Sequence, residues 1–548
     1  MSAVIGITFG NTSSSIAVAS SEGKVDVIAN PDGDRSIPSA LSYVGEDEYH
    51  GVQAESQLVR NPKNTIINFR DFIGKQFDDV KVDDSYQVGA KAVKGSKGEV
   101  AYEITRNDKV EIISVDEVSI RHFKKMKLAA EDFIGKDIEG VVLTVPTDFN
   151  EHQRQELVKI SNAAGLKVLQ LINEPTAALL AHLSADDGER FLQDKIYVVA
   201  DFGGIRSDAA VISVRGGILT ILATAHEHGL GGDKFDGALA EFFAKEFEKK
   251  YKANPRSNAR SLAKLKAESI VVKKTLSNVQ TSTCSIESLA EGLDFHTTIN
   301  RLRYELTARQ PLSEMAGFVE KVVAKAGLDA LDINEVLLVG GVSNTPKLAS
   351  NIQFLFPEST TVVAPSLDPK AIDPSELVAR GAALQAALIE SFDEEEVDES
   401  LQPIVVNTQH IAKPIGIKDA EGNFQSILVA ETAYPIKKSI EVTNGESSSV
   451  IIELYEGKRT VKETVIEPVK DEEDEEDDDY SDDEPEIVKE LVYEAGDKLA
   501  TLSLKDLKAN SKLEVTVNIT QNGVLHFSGR ELKQGSVAVK GEVHPASA

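Results

Sequence analysis

Residues 4–14 read VIGITFGNTSS, and residues 198–208 read VVADFGGIRSD. Each stretch is an apolar, strand-like run that ends in a glycine turn, and aligning the two places Gly10 on Gly203. A glycine at such a strand end lets backbone N–H groups approach phosphate oxygens, because no Cβ stands in the way. The repeat therefore predicts two similar lobes, each with one turn that can face a phosphate.

The residues after each turn continue the repeat. A second strand, a hairpin turn and a third strand follow in both copies: SSIAVAS, EG and VDVIA in the first, and DAAVISV, GG and ILTILATA in the second. Up to about residue 390, strand-like runs alternate with helix-like stretches, one of which opens on the capping-box pair Asn150 and Gln153. This order predicts an α/β fold. Thr8 of the first copy aligns with Asp201 of the second, so the two turns differ by a carboxylate.

Length and composition limit the classes of function. A chain of 548 residues indicates about three to four domains. Lys and Arg total 59 against 89 Asp and Glu, and this net charge of −30, with no basic patch visible in the sequence, disfavours direct binding to nucleic acid or anionic lipid. The single cysteine, Cys284, excludes a disulfide framework and a cysteine-built metal site. Without a secretory signal or a membrane-length apolar run, we expect a cytoplasmic protein that binds neither membrane nor DNA.

The composition changes after residue 391. A charge run, DEEEVDE, predicts a linker. The strand-like stretches that follow, with Asn-Gly turns between them, predict a β-sandwich. Nine consecutive acids from residue 471 cannot bury surface, so we expect a disordered, solvating loop there, with docking of a basic partner as the alternative. The predicted division is a nucleotide-binding domain at 1–391, an acidic linker at 392–402 and a sandwich at 403–548 that contains the disordered loop 470–486.

Further glycine pairs strengthen the prediction of a nucleotide cleft. Residues 336–346 read VLLVGGVSNTP, another buried strand that ends in Gly340 and Gly341. A fourth pair, Gly231 and Gly232, stands directly before a helix-like stretch. One glycine turn is weak evidence, but several strand-end pairs together favour a site for phosphates and a nucleoside.

Six motifs in order now give the chain a specific resemblance: IGITFGNT, INEPTAA, DFGGIRSD, LGGDKFD, VLLVGG and RGAALQAA. This set resembles the seventy-kilodalton heat-shock (Hsp70) chaperone family and covers essentially the whole chain. The resemblance implies an α/β, actin-like, two-lobed nucleotide-binding domain followed by an all-β peptide-binding sandwich. The opening residues, with NPKNTIINFRDFIG, most resemble an atypical, ribosome-associated branch of the family that pairs with a zuotin-like J-protein.

The resemblance also implies the site residues and ATP as the ligand, with Mg²⁺ possible and no direct protein ligand to the metal. Carboxylates that organise magnesium and its waters would be Glu174, Asp201 and Asp208, with helix or turn capping as the alternative role for Glu174 and Asp201. The family's phosphate contacts fall on Gly10, Asn11, Thr12, Ser13, Gly203 and Gly204. Its adenosine contacts fall on Lys273, Lys274, Ser277, Gly340, Gly341 and Asn344.

Departures from the family pattern bear on hydrolysis. The family has Asp, Lys and Gly-Thr where this chain has Thr8, Arg70 and Ile205-Arg206. A planar guanidinium does not replace a compact ammonium at a packed site, and losing one placed group commonly costs ~10²–10³ in rate. We therefore assign no catalytic residue and expect ATP to be held with little hydrolysis, with Arg206 able to pair with a phosphate.

The adenosine pocket and the coupling between the domains depart as well. Asn344 replaces an Arg, Val342 a Ser and Ile270 an acid, which predicts a weaker or altered base pocket and leaves an empty cleft as an alternative. The linker lacks the family's leucine run, so we expect weak or different docking and an altered allosteric cycle. No helix-period segment follows residue 530, so we expect no helical lid, and a sandwich that binds extended peptide by strand addition.

The resulting hypothesis is a non-catalytic co-chaperone. It would form a stable heterodimer with a J-protein, contact the ribosome mainly through that partner, and help nascent chains fold by stimulating a catalytically active, ribosome-bound Hsp70. The main alternative is a slow ATPase that itself binds and releases client peptides. A nucleotide-exchange factor would carry a long helical extension, and a kinase would add an H-R-D element to the DFGG at Asp201, so both are disfavoured.

Overall fold

The computed structural model describes residues 3–20, 24–80, 89–107, 109–186, 188–393, 395–397, 409–466, 486–533 and 535–543. The predicted loop 470–486 falls outside these residues except for its last one, and so does most of the predicted linker 392–402. None of the helices in the described part of the chain has the length and apolar character needed to span a membrane.

The first lobe, residues 3–183, contains a central sheet and a smaller β-rich part above it. Its strands are β1 (Ala3–Phe9), β2 (Ser13–Ala19), β3 (Val25–Ile28), β4 (Ile37–Pro38), β5 (Ala40–Val44), β6 (Asp47–His50), β7 (Thr65–Ile67), β8 (Ala92–Lys94), β9 (Val100–Arg106), β10 (Lys109–Ser114), β11 (Ile138–Val145) and β12 (Lys167–Asn173). Its helices are α1 (Gly51–Glu55), α2 (Val115–Ile134), α3 (Glu151–Ala163) and α4 (Glu174–Leu183). The predicted capping box of α3 is confirmed, since Asn150 and Gln153 bond reciprocally.

The second lobe, residues 195–364, also contains a central sheet and a smaller sheet. Its strands are β13 (Lys195–Phe202), β14 (Arg206–Arg215), β15 (Ile218–His228), β16 (Thr281–Ala290), β17 (Leu293–Asn300), β18 (Glu335–Val339) and β19 (Thr361–Val363). Its helices are α5 (Gly232–Tyr251), α6 (Ala259–Asn278), α7 (Arg301–Thr307), α8 (Arg309–Lys325) and α9 (Pro346–Gln353). A last helix, α10 (Leu377–Ile389), returns to pack on α4 and β1 of the first lobe.

The central sheets of the two lobes share one topology. The strand order is β12-β11-β1-β2-β3 in the first lobe and β19-β18-β13-β14-β15 in the second. In each sheet the opening strand is antiparallel to the next strand and parallel to a later one. The predicted repeat is therefore present in three dimensions, and each glycine turn occupies the same place, between the first and second strands of its sheet.

The last part of the chain is β-rich, as expected. Its strands are β20 (His410–Ile411), β21 (Ile415–Lys418), β22 (Phe424–Leu428), β23 (Thr432–Ala433), β24 (Ile436–Thr443), β25 (Val450–Ile466), β26 (Glu486–Leu504), β27 (Lys512–Ile519), β28 (Leu525–Glu531) and β29 (Val539–Val543). Sheets β22-β21-β25-β26 and β24-β27-β28-β29 enclose an apolar core that includes Leu454, Leu513 and Phe527. Alternating inward-facing apolar residues are typical of such a sandwich.

The sandwich is docked on the second lobe through polar contacts. Arg215 donates from Nε to the carbonyl of Ala430 at 2.9 Å, and Ser213 donates from its hydroxyl to the carbonyl of Glu431 at 2.9 Å. The stretch after α10 takes part in the packing of this region, because Phe392 and Val397 lie against the apolar cluster that contains α10. Two apolar residues of the predicted linker thus contact the two-lobed part of the chain, although the linker lacks a leucine run.

Candidate nucleotide cleft

The two glycine turns have the same backbone geometry. The N–H of Gly10 donates to the carbonyl of Ser13 at 3.0 Å, and the N–H of Gly203 donates to the carbonyl of Arg206 at 3.0 Å. A Cβ on Gly10 would lie 2.4 Å from the Ser13 carbonyl oxygen, so only glycine fits this turn without a shift of the backbone. The structure therefore places two equivalent tight turns at the carboxyl ends of β1 and β13.

The turns face each other across the cleft between the lobes. A Cβ on Gly204 would lie 2.4 Å from the Thr12 side chain, which brings the second turn into direct contact with the first. The start of α5 is bound to the second turn, because the N–H of Gly232 donates to Gly203 at 2.9 Å. Gly231 lies so close that a Cβ there would be 2.6 Å from the Gly204 backbone. The two turns and the positive end of α5 thus lie against one another.

Asn11 supplies a side chain that a phosphate would suit. Its side chain is buried, with 5% of the residue exposed, and its Oδ1 accepts from the N–H of Asp71 at 3.1 Å. Its Nδ2 is buried and has no hydrogen-bond partner among the described residues. An unpaired buried donor costs about 1–3 kcal/mol, so an acceptor such as a phosphate oxygen fits here. Together with the glycine turns, this donor fits the triphosphate that the family resemblance implies.

Arg70, at the position where the family has a lysine, is held entirely by the first lobe. It is 4% exposed, and its Nη1 donates to Glu174 Oε1 at 2.9 Å and to the carbonyl of Phe9 at 3.2 Å. Its Nε donates to Asp71 Oδ1 at 2.9 Å. Burial disfavours the charged guanidinium, but Asp71 and Glu174 outweigh burial and raise the pKa of Arg70.

Arg206 bridges the two lobes. It is 5% exposed and donates from Nε to Asp208 Oδ2 at 2.7 Å in its own lobe. Across the cleft its Nη1 donates to Asp71 Oδ2 at 3.0 Å, and its Nη2 pairs with Asp148 Oδ1 at 3.1 Å. Burial opposes the charge, yet Asp208 and Asp71 outweigh it and raise the pKa of Arg206. The expected pairing of Arg206 with a phosphate stays a prediction, since carboxylates occupy its donors in this structure.

Sequence reasoning missed four members of this charged cluster: Asp71, Asp148, His226 and His228. His226 Nδ1 lies 2.7 Å from Asp208, and His228 Nε2 lies 3.3 Å from Asp148. Asp148 follows β11 just as Glu174 follows β12, and the carboxyl ends of parallel strands share one edge of a sheet. That shared edge was a signal for Asp148, whereas nothing in the sequence distinguished the histidines at the end of β15.

The three carboxylates assigned to magnesium lie together. Glu174, Asp201 and Asp208, with Thr147, line a cavity of about 10 Å³, which has room for no more than about one water molecule. Asp201 stands directly opposite Asp208 in the β13–β14 ladder. Burial raises the pKa of Glu174 to about 8, with help from Asp208 and Asp201 against Arg70. Burial and then Asp208 raise the pKa of Asp201 to about 7.

These carboxylates are the oxygen donors that Mg²⁺ and its waters prefer, but the cavity between them has room for about one water and not for a hydrated ion. Burial is the main cause of the raised pKa values of Glu174 and Asp201, and Asp208 raises both pKa values further. A bound cation would favour the charged forms of both groups. Asp208 is the least available of the three, because Arg206 and His226 already bond to it.

The predicted adenosine residues lie beside the second turn. The Lys273 amine pairs with Asp236 Oδ1 at 2.7 Å and donates to the Gly232 carbonyl at 3.1 Å, which ties α6 to the start of α5. The Ser277 hydroxyl is turned back to the carbonyl of Lys273, and Lys274 is exposed. The structure therefore brings Lys273 to the turn, while the hydroxyl of Ser277 bonds within its own helix.

The Gly340-Gly341 strand end lies under the carboxylates. Gly340 has a φ of +82°, and a Cβ there would be 2.4 Å from Asp201 Oδ1. Val342 packs against Gly232, and Asn344 Nδ2 donates back to the Gly341 carbonyl at 3.4 Å. The strand end is thus part of the same cleft, and Asn344 presents a short amide where the family has a long guanidinium.

The departures from the family pattern alter the side-chain chemistry of the cleft. The Thr8 hydroxyl stands where the second copy has the Asp201 carboxylate, and the uncharged Ile205 side chain is half-buried beside Arg206. Both arginines are neutralised by carboxylates rather than directed at a free position near the turns. Phosphoryl transfer depends on a placed water and on charge stabilisation, and these side chains are committed to each other instead.

Comparisons with known proteins agree with this geometry. A family described as "Hsp70 protein" matches residues 4–467. Ribosome-associated complex subunit SSZ1 of Saccharomyces cerevisiae is 54% identical over 546 residues, covering 99% of this chain and 100% of that protein. A heat shock protein 70 homolog of Schizosaccharomyces pombe is 44% identical over 545 residues, covering 98% of this chain and 95% of that protein. Heat shock 70 kDa protein 14-A of Xenopus laevis is 33% identical over 468 residues, covering 84% and 89%. The chain belongs to the Hsp70 family.

Proposed function

We propose that this protein is a non-catalytic Hsp70-like co-chaperone that binds ATP, with Mg²⁺, and does not appreciably hydrolyse it. The observation that carries the proposal is the pairing of Arg70 and Arg206 with carboxylates inside the cleft. Arg70 Nε is 2.9 Å from Asp71 Oδ1, and Arg206 Nε is 2.7 Å from Asp208 Oδ2. A guanidinium that is neutralised by fixed carboxylates stabilises developing phosphoryl charge poorly. We therefore expect ATP to stay bound without appreciable hydrolysis.

The proposed partners follow from the relatives. A protein 54% identical to this chain is named a ribosome-associated complex subunit, which supports a cytosolic, ribosome-associated role. We assign to this role a stable heterodimer with a zuotin-like J-protein, ribosome contact mainly through that partner, and stimulation of a catalytically active ribosome-bound Hsp70. The −30 charge supports indirect contact, because a strongly acidic surface repels ribosomal RNA.

The proposed domain division supports the same role. In this division the nucleotide-binding domain spans 1–391, the linker 392–402 and the sandwich 403–548. The contacts of Ser213 and Arg215 with backbone carbonyls of the sandwich favour domains that stay together. Such a scaffold suits stable partner binding better than cycles of client release.

Single-turnover hydrolysis of radiolabelled ATP tests the proposal. The purified protein is loaded with ATP, and bound nucleotide and released phosphate are quantified in the same sample, with and without a J-domain. We expect stoichiometric ATP to be retained intact in both cases. An active Hsp70 of the same preparation grade serves as the positive control, because its hydrolysis accelerates with the J-domain.

The second candidate is the slow ATPase that itself binds and releases clients. Retention of the Glu174, Asp201 and Asp208 carboxylates around one small cavity favours it, since this part of the hydrolytic apparatus is present. Hydrolysis that the J-domain accelerates would establish the slow ATPase and reject the scaffold. Loss of all nucleotide during purification would reject ATP binding itself.

A further inference from the structure

One buried side chain connects the two lobes through charge. Arg206 belongs to β14 of the second lobe and is bonded there to Asp208 at 2.7 Å. The same guanidinium reaches Asp71 and Asp148 of the first lobe, at 3.0 and 3.1 Å. We propose that Arg206 is an interlobe tether that holds the cleft closed when no nucleotide is bound.

The charges around Arg206 explain why its removal would open the cleft. Without the guanidinium, Asp71 and Asp148 of the first lobe face Asp208 of the second across a few ångströms of buried space. Like charges at such separations repel strongly where water is excluded. Asp71 is shared between two arginines, because Arg70 Nε donates to its Oδ1 and Arg206 Nη1 to its Oδ2.

The geometry requires an arginine. A guanidinium offers a planar fork that reaches three carboxylates at once, whereas a lysine ammonium is a single point charge. His226 and His228 extend the same cluster, with His226 on Asp208 and His228 on Asp148. The mouth of the cleft is closed as well, since the 3-10 turn Ser56–Val59 of the first lobe lies against α6 of the second.

With a tether of this kind, closure of the cleft does not depend on bound nucleotide. In a cleft that only bound nucleotide holds together, losing phosphate contacts loosens the lobes, but here protein side chains make the bridge. Nucleotide bound inside would then leave slowly, and this consequence rests on the proposed ATP binding. The closure itself does not, so the two can be tested apart.

The first experiment measures the lobe separation of the nucleotide-free full-length protein. Spin labels are attached at Asp47→Cys in the first lobe and Lys249→Cys in the second, both exposed, while the natural Cys284 is buried and stays unlabelled. We expect one short distance for the parent and a shift to longer distances for Arg206→Thr. Arg215→Thr is the matched control, because it removes a buried arginine from the same strand that bonds to the sandwich instead.

Two further variants keep the result interpretable if Arg206→Thr folds poorly. Asp148→Asn removes one arm of the bridge at a partly exposed residue and should give a smaller shift. Adding Asp71→Asn and Asp148→Asn to Arg206→Thr removes the repulsion and should restore the short distance. Unchanged distances in both Arg206→Thr and Asp148→Asn, or opening in Arg215→Thr as well, would overturn the tether.

The second experiment measures the dissociation rate of a fluorescent ATP analogue from the same variants. We expect a rise of about tenfold or more for Arg206→Thr and a smaller rise for Arg206→Lys, because truncating one partner of a buried charge pair acts on dissociation. Slower dissociation from Arg206→Thr would show that Arg206 weakens nucleotide binding, and it would overturn the inference that the tether slows nucleotide release. If no variant binds the analogue, the proposed ATP binding fails, and the label distances still decide the tether.

Discussion

In the first glycine turn the N–H of Gly10 donates to Ser13, and in the second the N–H of Gly203 donates to Arg206, both at 3.0 Å. The backbones match, but the side chains do not: Thr8 begins the first turn and Asp201 the second. The hydrogen bond and the glycine fix the shape of each turn without help from these side chains. A duplicated fold can therefore keep the shape of both turns while the side chains beside them differ.

The largest expected effect comes from making both turns resemble those of the hydrolysing family. Thr8→Asp, Arg70→Lys, Ile205→Gly and Arg206→Thr together restore a carboxylate and an ammonium and free Asp71 and Asp208 from Arg206. We expect the single-turnover hydrolysis rate to rise by ~10²–10³, since each placed group is worth about that factor. Each single reversion should give less than the combination, because the groups act together.

Quantifying bound ATP in the same sample provides the control for this reversion. If the combined variant retains stoichiometric ATP and its hydrolysis rate is unchanged, the four departures are not what prevents hydrolysis. If a variant substituted only at an exposed site shows the same rise in hydrolysis rate, the activity comes from a contaminating ATPase.

Neutralising two largely buried carboxylates, Asp201 in the second lobe and Asp71 in the first, should change the free energy of unfolding in opposite directions. Burial and Asp208 raise the pKa of Asp201 to about 7, so its charged form destabilises the folded protein above the unfolded pKa of about 3.9. The free energy of unfolding therefore falls as the pH rises from about 4 to about 7. Asp201→Asn removes this loss, and we expect the nucleotide-free variant to gain about 2–4 kcal/mol at pH 8 and less at pH 5.

Asp71 is the matched comparison. Burial alone would raise the pKa of Asp71, but Arg70 and Arg206 outweigh it and hold the pKa well below its usual range. Its contribution to stability is present above the unfolded pKa and is lost as the pH falls below about 4. Asp71→Asn should thus destabilise by about 2–4 kcal/mol at pH 7, with a smaller deficit in acid. Denaturant unfolding of both variants across pH measures this, and equal signs would contradict the assignment of charges.

The repeat was readable from the sequence because it depends on local signals. Strand-end glycines, the capping pair Asn150 and Gln153, and alternating apolar residues in the sandwich each act within a few residues of themselves. The glycine signals predicted that the two turns face one cleft, and the family resemblance added the three carboxylates to it. The structure adds where the lobes meet, which no local signal specifies.

The pairing of Arg206 could not be predicted for that reason. Its partner Asp71 is 135 residues away, and only closure of the lobes brings them to 3.0 Å. An arginine beside a phosphate-facing turn indicates a phosphate contact when no carboxylate is known nearby. The expected and observed partners are both anions, so the sequence predicts the kind of interaction for Arg206, and only the structure identifies its partner.

The second turn is closely approached by the residues that precede α5. Gly231 lies against it, and a Cβ there would be 2.6 Å from the Gly204 backbone, so Gly231→Ala must displace either the turn or the start of α5. We expect ATP affinity to fall about tenfold or more and the free energy of unfolding to fall by about 1–3 kcal/mol. Isothermal titration and denaturant unfolding measure the two quantities.

Gly237→Ala in the same helix is the control for Gly231→Ala. A Cβ on Gly237 would have no atom of the described residues within 4 Å outside its own helix backbone, and alanine is the better helix former by about 0.5–1 kcal/mol. This variant should be slightly more stable and bind ATP as the parent does. Equal behaviour of the two alanine variants would mean that the contact between α5 and the second turn is dispensable.

The smallest expected effect concerns the adenosine side of the second lobe. Asn344 bonds weakly to the Gly341 carbonyl at 3.4 Å, and it replaces an arginine whose guanidinium plane can stack on an aromatic ring. Asn344→Arg should tighten ATP binding several-fold, which corresponds to about 1 kcal/mol. Asn351→Arg adds the same charge on α9, farther along the chain, and controls for a general electrostatic gain. Because stacking involves the base and not the phosphates, Asn344→Arg should improve adenosine binding by the same factor as ATP binding; a gain for ATP alone would assign the effect to charge.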